Sequence, residues 1–143
     1  MTAVRQDIAG FTIIEVMLVL TVIGILVAIA IPVYQDYSVR TRVTEAVGFM
    51  APAKTAVTLY YSMNGSLPSN NEAADMDEPA SMRSAVVESV EILAGGVIQV
   101  TLRHPAISGH TITLTPAIDG ALTWSCSSSL PDQLLPRNCR TDP

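Results

Sequence analysis

The sequence predicts an α+β fold: one long N-terminal α-helix, an antiparallel sheet of about four strands packed on it, and a loop between two cysteines near the C-terminus. Three observations predict it. Residues 11–33 are almost uniformly apolar, residues 33–61 carry an apolar stripe mostly at three- or four-residue spacing, and from Val86 onward the apolar period falls to two. A chain of 143 residues has room for one modest domain, which excludes a second catalytic one. Charged residues are 15% of the chain and hydrophobic ones 49%, which excludes intrinsic disorder. A formal charge of −5 is the wrong sign for capturing phosphates and argues against nucleic acid as a primary partner. The mean hydropathy of +0.39 points toward a membrane.

The first element is the run FTIIEVMLVLTVIGILVAIAIPV, residues 11–33, whose single charge is Glu15. As a helix it would be roughly 34 Å long, enough to cross a hydrocarbon core of about 30 Å. Ordinary signal-peptide cleavage is disfavoured, because the run is long and the small pair Ala9-Gly10 precedes it. Basic residues do not orient the span: Arg5 and the amino terminus stand before it, Arg40 and Arg42 after it. The isolated pair Cys126 and Cys139 reads as one disulfide of an exported protein, or else as a redox pair. If bridged, it places the C-terminal domain in an oxidising compartment and the ten-residue leader in the cytoplasm.

Glu15 is the most informative residue. A carboxylate inside an apolar helix costs about 2.5 to 3.5 kcal/mol if central and less near an interface, and such acids usually have partners. Either Glu15 lies at headgroup depth and reaches water, or its partner is a cation on another copy of the protein.

The stretch Gly10-Phe11-Thr12-Ile13-Ile14-Glu15, followed by Gly24 and by Ala28-Ile29-Ala30-Ile31-Pro32-Val33-Tyr34, closely resembles the N-terminal signature of type IV pilins and their pseudopilin relatives. The resemblance implies that residues 1–10 are a leader, that a prepilin peptidase cuts between Gly10 and Phe11, and that the new Phe11 amine is methylated. It also implies a cation for Glu15, since in the family this acid pairs with the N-terminal amine of a neighbouring subunit. Family leaders are commonly basic, whereas this one sets Arg5 against Asp7. The implied life history is an inner-membrane, single-pass precursor with a periplasmic C-terminal domain, handed by inner-membrane assembly machinery to an extracellular pilus. Its principal partner is then itself.

Beyond the span, Val33, Tyr37, Val43, Val47, Met50, Val57 and Tyr61 form the stripe of an amphipathic half-helix, residues 34–63, that covers a soluble domain. Unbroken from Phe11 to about Met63, the helix would be about 80 Å long, so half of it should project. Pro32 and Pro52 each remove a backbone N–H and predict gentle curvature. Gly24 weakens the helix by about 1 kcal/mol relative to Ala, so the interval from Gly24 to Pro32 is the easiest part to unwind. The resemblance implies that it melts on fibre assembly; the alternative is a smoothly curved helix. Lys54 interrupts the stripe and reads as a snorkelling side chain.

Asn64-Gly65-Ser66-Leu67-Pro68 stops the helix and opens the globular part, residues 64–143; this connection is also similar to pilins. Glu72, Asp75, Asp77 and Glu78 lack calcium-loop spacing and read as a solvated acidic loop. The sequon at Asn64 is weak evidence for a glycan. Residues 86–93, 97–102, 111–115 and 121–126 read as strands, with turns at Ala94-Gly95-Gly96 and Asp119-Gly120. Cys126 and Cys139 lack C-x-x-C spacing, so stapling is favoured over redox chemistry, and their position resembles the disulfide-bounded loop of pilins. His104 and His110 make a poor metal site, and no nucleophile, phosphate-loop or dinucleotide motif occurs. The expectation is a non-enzymatic protein without metal or cofactor.

The reading is therefore a type IV pilin precursor that assembles through its N-terminal helix into fibres for adhesion, twitching motility or DNA uptake. The nearest alternative is a minor pilin or type II secretion pseudopilin. An alternative of another class is a monomeric, membrane-anchored periplasmic binding module.

Overall fold

The computed structural model describes residues 10–140. The cut leader expected at residues 1–10 lies outside them except for Gly10. Two compact units are distinguished, one reaching Gln35 and the other beginning at Asp36.

The N-terminal unit is helical from Ile13, the first residue of α1 (Ile13–Phe49). Every residue from Gly10 to Gln35 is exposed. The helical stretch Ile13–Asn64 contains an 18-residue window with a mean hydropathy of 3.0 and none of it buried, which is long and apolar enough to cross a membrane. Pro32 sits inside α1 without ending it. Gly24 has open space around it, so no close packing within the chain requires glycine there.

The long helix expected from the sequence runs from Ile13 to Asn64, with a one-residue interruption in the second unit. Helix α1 ends at Phe49, and α2 (Ala51–Asn64) begins after the single residue Met50, at φ −80° and ψ −7°. The reason is Pro52. Its missing N–H falls in the first turn of α2, where backbone donors have no helical acceptor anyway, so proline starts a helix here instead of bending one. The break is tight: the Met50 N–H donates to Val47 O at 3.2 Å, and Met50 O accepts from the Lys54 N–H at 3.0 Å. The apolar phase therefore survives it, and Val43, Ala46, Met50, Ala53 and Val57 are all buried at alternating three- and four-residue spacing.

That row corrects the expected stripe at both ends. Val33 and Tyr37 are 65% and 69% exposed and contribute nothing to the core, while Ala46 and Ala53, too small to weigh in a hydrophobic pattern, are fully buried. Val47 and Tyr61 are only partly buried.

The sheet is an antiparallel meander, β1 (Val87–Leu93), β2 (Val97–Leu102), β3 (Thr111–Asp119) and β4 (Ala121–Ser128), in that spatial order. Register aligns Val90, Val100 and Ile112 in one row and Ile92, Ile98, Leu114 and Cys126 in the next. These side chains share one core with the helical row. Between β1 and β2, Gly96 takes φ +70°, and a Cβ there would meet Val57 at 3.1 Å and Leu67 at 3.2 Å. Glycine is thus needed twice over, for the backbone angle and for close approach.

Strands β3 and β4 are longer than alternation in the sequence predicts. β2 pairs β3 only as far as Ile98 with Leu114, whereas β3 and β4 stay paired to Asp119 with Ala121, so residues 115–125 form a two-stranded ribbon beyond β2. Pro116 masks this extension in the sequence. His110 O accepts from Leu102 on the β2 side and Thr111 O accepts from Ser129 on the β4 side, so even-numbered residues of β3 face β2. The absent N–H of Pro116 therefore falls where β2 has ended, and the β4 ladder loses no bond.

Candidate assembly site

The residues singled out for assembly gather at the start of α1. Phe11 and Thr12 precede the helix, and Glu15 is in its first turn. The Glu15 N–H donates to Thr12 Oγ1 at 3.3 Å, so Thr12 acts as the N-cap of α1. Thr12-Ile13-Ile14-Glu15 matches the Thr-x-x-Glu capping pattern, a signal that was available in the sequence. The helix start also carries a partial positive charge from its unpaired N–H groups, which favours an acid in the first turn. This is help from within the chain that hydropathy alone does not reveal.

The Glu15 carboxylate itself has no hydrogen-bond or ionic partner among the described residues, and it is exposed. Phe11, 83% exposed, lines a shallow recess together with Glu15, Val16, Val19 and Leu20. The residue at the expected cut and the lone acid of the span thus share one open patch. Gly10 is exposed and outside any helix, as a protease requires of a scissile bond. Gly24 and Pro32 lie farther along α1, which is intact across both.

The other flagged residues stand apart. Cys126 and Cys139 form a disulfide with Cα atoms 4.6 Å apart, tying β4 to a short 3₁₀ turn at Arg137–Cys139. The enclosed loop buries Leu130 and Leu135 and so belongs to the core as well as the surface. Replacing both cysteines by serine is expected to lower the stability of the domain by about 3 kcal/mol through the freed loop. A thermal melt of the oxidised and variant proteins checks it; equal midpoints would refute the staple. His104 and His110 hold a surface loop: His104 Nδ1 accepts from the Ala106 N–H at 3.4 Å, and His110 Nδ1 lies 3.1 Å from Ser129 Oγ. Glu72, Asp75, Asp77 and Glu78 are all exposed, and no cluster suited to a metal ion occurs among the described residues.

Two further side chains escaped sequence reasoning. Lys54, read as a snorkelling residue, places Nζ 5.5 Å from the ring centroid of Trp124 and so joins α2 to β4 by a cation–π contact. Asn71, 5% exposed, clamps the outer edge of β1: its Oδ1 accepts from the Ile92 N–H at 2.6 Å, and its Nδ2 donates to Val90 O at 3.0 Å and to Asp77 O at 2.9 Å.

An exposed apolar helix with an acid in its first turn thus stands in the same chain as a disulfide-closed α+β domain. The pilin family of bacterial filament proteins matches residues 39–140, and the prokaryotic N-terminal methylation motif matches residues 5–31. The chain belongs to the pilin family. It is 40% identical to the fimbrial protein EcpC of Eikenella corrodens over 95% of this chain and 93% of the relative. It is 35% identical to the type IV major pilin protein PilE of Neisseria gonorrhoeae over 93% and 79%, and 38% identical to a fimbrial protein of Neisseria meningitidis over 82% and 71%.

Proposed function

We propose that this pilin is a structural subunit of a type IV pilus, of the major-pilin kind, and that Glu15 and the processed Phe11 amine form its assembly contact. The observation that carries the reading is the open patch shared by Phe11 and a carboxylate that has no partner among the described residues. In the membrane-inserted precursor Phe11 is acylated by Gly10 and offers no charge. Cleavage after Gly10 by a prepilin peptidase turns that amide into an amine, and the cation Glu15 needs then exists on every copy. Side-by-side packing of apolar helices places amine and acid together between neighbours and sets their axial register. An acid left unpaired in such a core would be heavily penalised.

On this reading residues 1–10 are the leader, 11–33 the span and assembly helix, 34–63 the helical cover and 64–143 the globular domain. Gly24 and Pro32 mark the part of the helix that yields when lipid contacts are exchanged for protein ones. The precursor resides in the inner membrane with its disulfide-bonded domain in the periplasm, and inner-membrane assembly machinery moves it into the extracellular fibre. Adhesion, twitching motility and DNA uptake are the tasks that such a fibre would serve.

N-terminal mass spectrometry of surface fibres tests the reading. The dominant fibre subunit should begin at a methylated Phe11. Chains retaining Met1, or a domain found only as a membrane-bound monomer, would favour an anchored binding module instead.

A further inference from the structure

We propose that Asn64 is a spontaneous modification site, an amide that converts to aspartate or isoaspartate by attack of the Gly65 nitrogen, and that the C-cap of α2 holds this conversion in check. Asn-Gly is a dipeptide in which no side chain on the second residue hinders approach of its nitrogen to the amide carbon. Both residues are exposed, so water and hydroxide reach them. What restrains the pair is the helix end. Gly65 adopts φ 68° and ψ 8°, the left-handed cap, and its N–H donates to Tyr61 O at 2.8 Å. The Asn64 side chain is held back along the helix, with Nδ2 donating to Tyr60 O at 3.0 Å.

Cyclisation requires both bonds to open. With the turn frayed, the Gly65 nitrogen gives up its proton to hydroxide and bonds to Asn64 Cγ; the Cγ–Nδ2 bond breaks and the amide nitrogen, taking a proton from water and so regenerating hydroxide, leaves as ammonia. Water then adds to either carbonyl of the succinimide and opens it to aspartate or isoaspartate at position 64, with no change of oxidation state. The product re-forms a weaker helix end: it has lost the Nδ2 donor to Tyr60 O, it places a carboxylate at the negative end of a helix, and the isoaspartyl form lengthens the backbone next to the capping residue Gly65. The connection that follows is structural: the Gly96 N–H donates to Pro68 O at 2.9 Å, and Leu67 abuts Gly96. Conversion is thus a one-way loosening of the α2 end and of the β1–β2 turn it supports.

The test compares the full oxidised chain in detergent with its own tryptic peptide 55–83, both held in mildly alkaline buffer at physiological temperature. Amide-to-acid conversion is assigned to Asn64 by fragmentation, with Asn70 and Asn71 resolved separately. Asn64 in the full chain should convert about tenfold or more slowly than in the peptide, the factor that an opening equilibrium of about 1.4 kcal/mol imposes. Ser62→Gly, at an exposed position whose hydroxyl donates to Thr58 O, should weaken the last turn and raise the rate in the full chain about twofold. Equal rates in chain and peptide, or an unchanged rate in the Ser62→Gly chain, would overturn the proposal.

Discussion

Glu15→Leu is expected to yield a protein that folds, forms its disulfide, enters the membrane and is cleaved after Gly10, yet makes no fibres. Substitution at an exposed position in the first turn of α1 touches no residue of the buried core, and leucine is more compatible with lipid than the acid it replaces. The loss appears only on assembly, where each incoming amine would meet leucine. Leaving one member of a buried charge pair alone costs about 3 to 5 kcal/mol, and that penalty recurs at every subunit added, so elongation should fall by at least about two orders of magnitude. Shearing and electron microscopy of cells producing the variant give the readout, with membrane fractionation confirming insertion. Abundant, regular fibres would remove the proposed role of Glu15 in register.

The second large effect is predicted at Asn71. Its side chain serves two backbone groups of β1 and one of the acidic loop, and no apolar residue can replace those three bonds. Asn71→Ala leaves the Ile92 N–H and Val90 C=O without their partner at a buried edge, a loss of about 2 to 6 kcal/mol at 1–3 kcal/mol for each orphaned group. For a domain of this size that corresponds to a fall of about 10–30 °C in the thermal midpoint. Asn70→Ala is the control: its side chain is exposed and accepts only from the Ala73 N–H, so the effect there should be small. If the two variants melt together, the clamp contributes nothing beyond an ordinary turn.

The contrast between Glu15 and Asn71 shows what a sequence exposes to reading. Glu15 stands out because a charge interrupts a uniform apolar run, and the strands stand out because their period is local. Asn71 does not, because its partners lie 19 and 21 residues away and nothing in the polar segment around it distinguishes one asparagine from the next. The break at Met50 was hidden for a different reason: proline is equally compatible with a bent helix and with the first turn of a new one. Ala46 and Ala53 do not stand out in the sequence because burial at a helix–sheet contact favours small side chains, whose hydropathy is weak. Thr12 is legible as a cap from the Thr-x-x-Glu pattern, which lies at the border of the apolar run.

Pro116 has a bearing on how such a molecule avoids the wrong kind of association. A ribbon whose margin offers regularly spaced donors and acceptors invites another chain to zip against it. One missing donor at the bare margin of β3 interrupts that regular series where β2 no longer covers the strand. A second strand meeting this margin would find one ladder bond missing, so edge-to-edge pairing is disfavoured there.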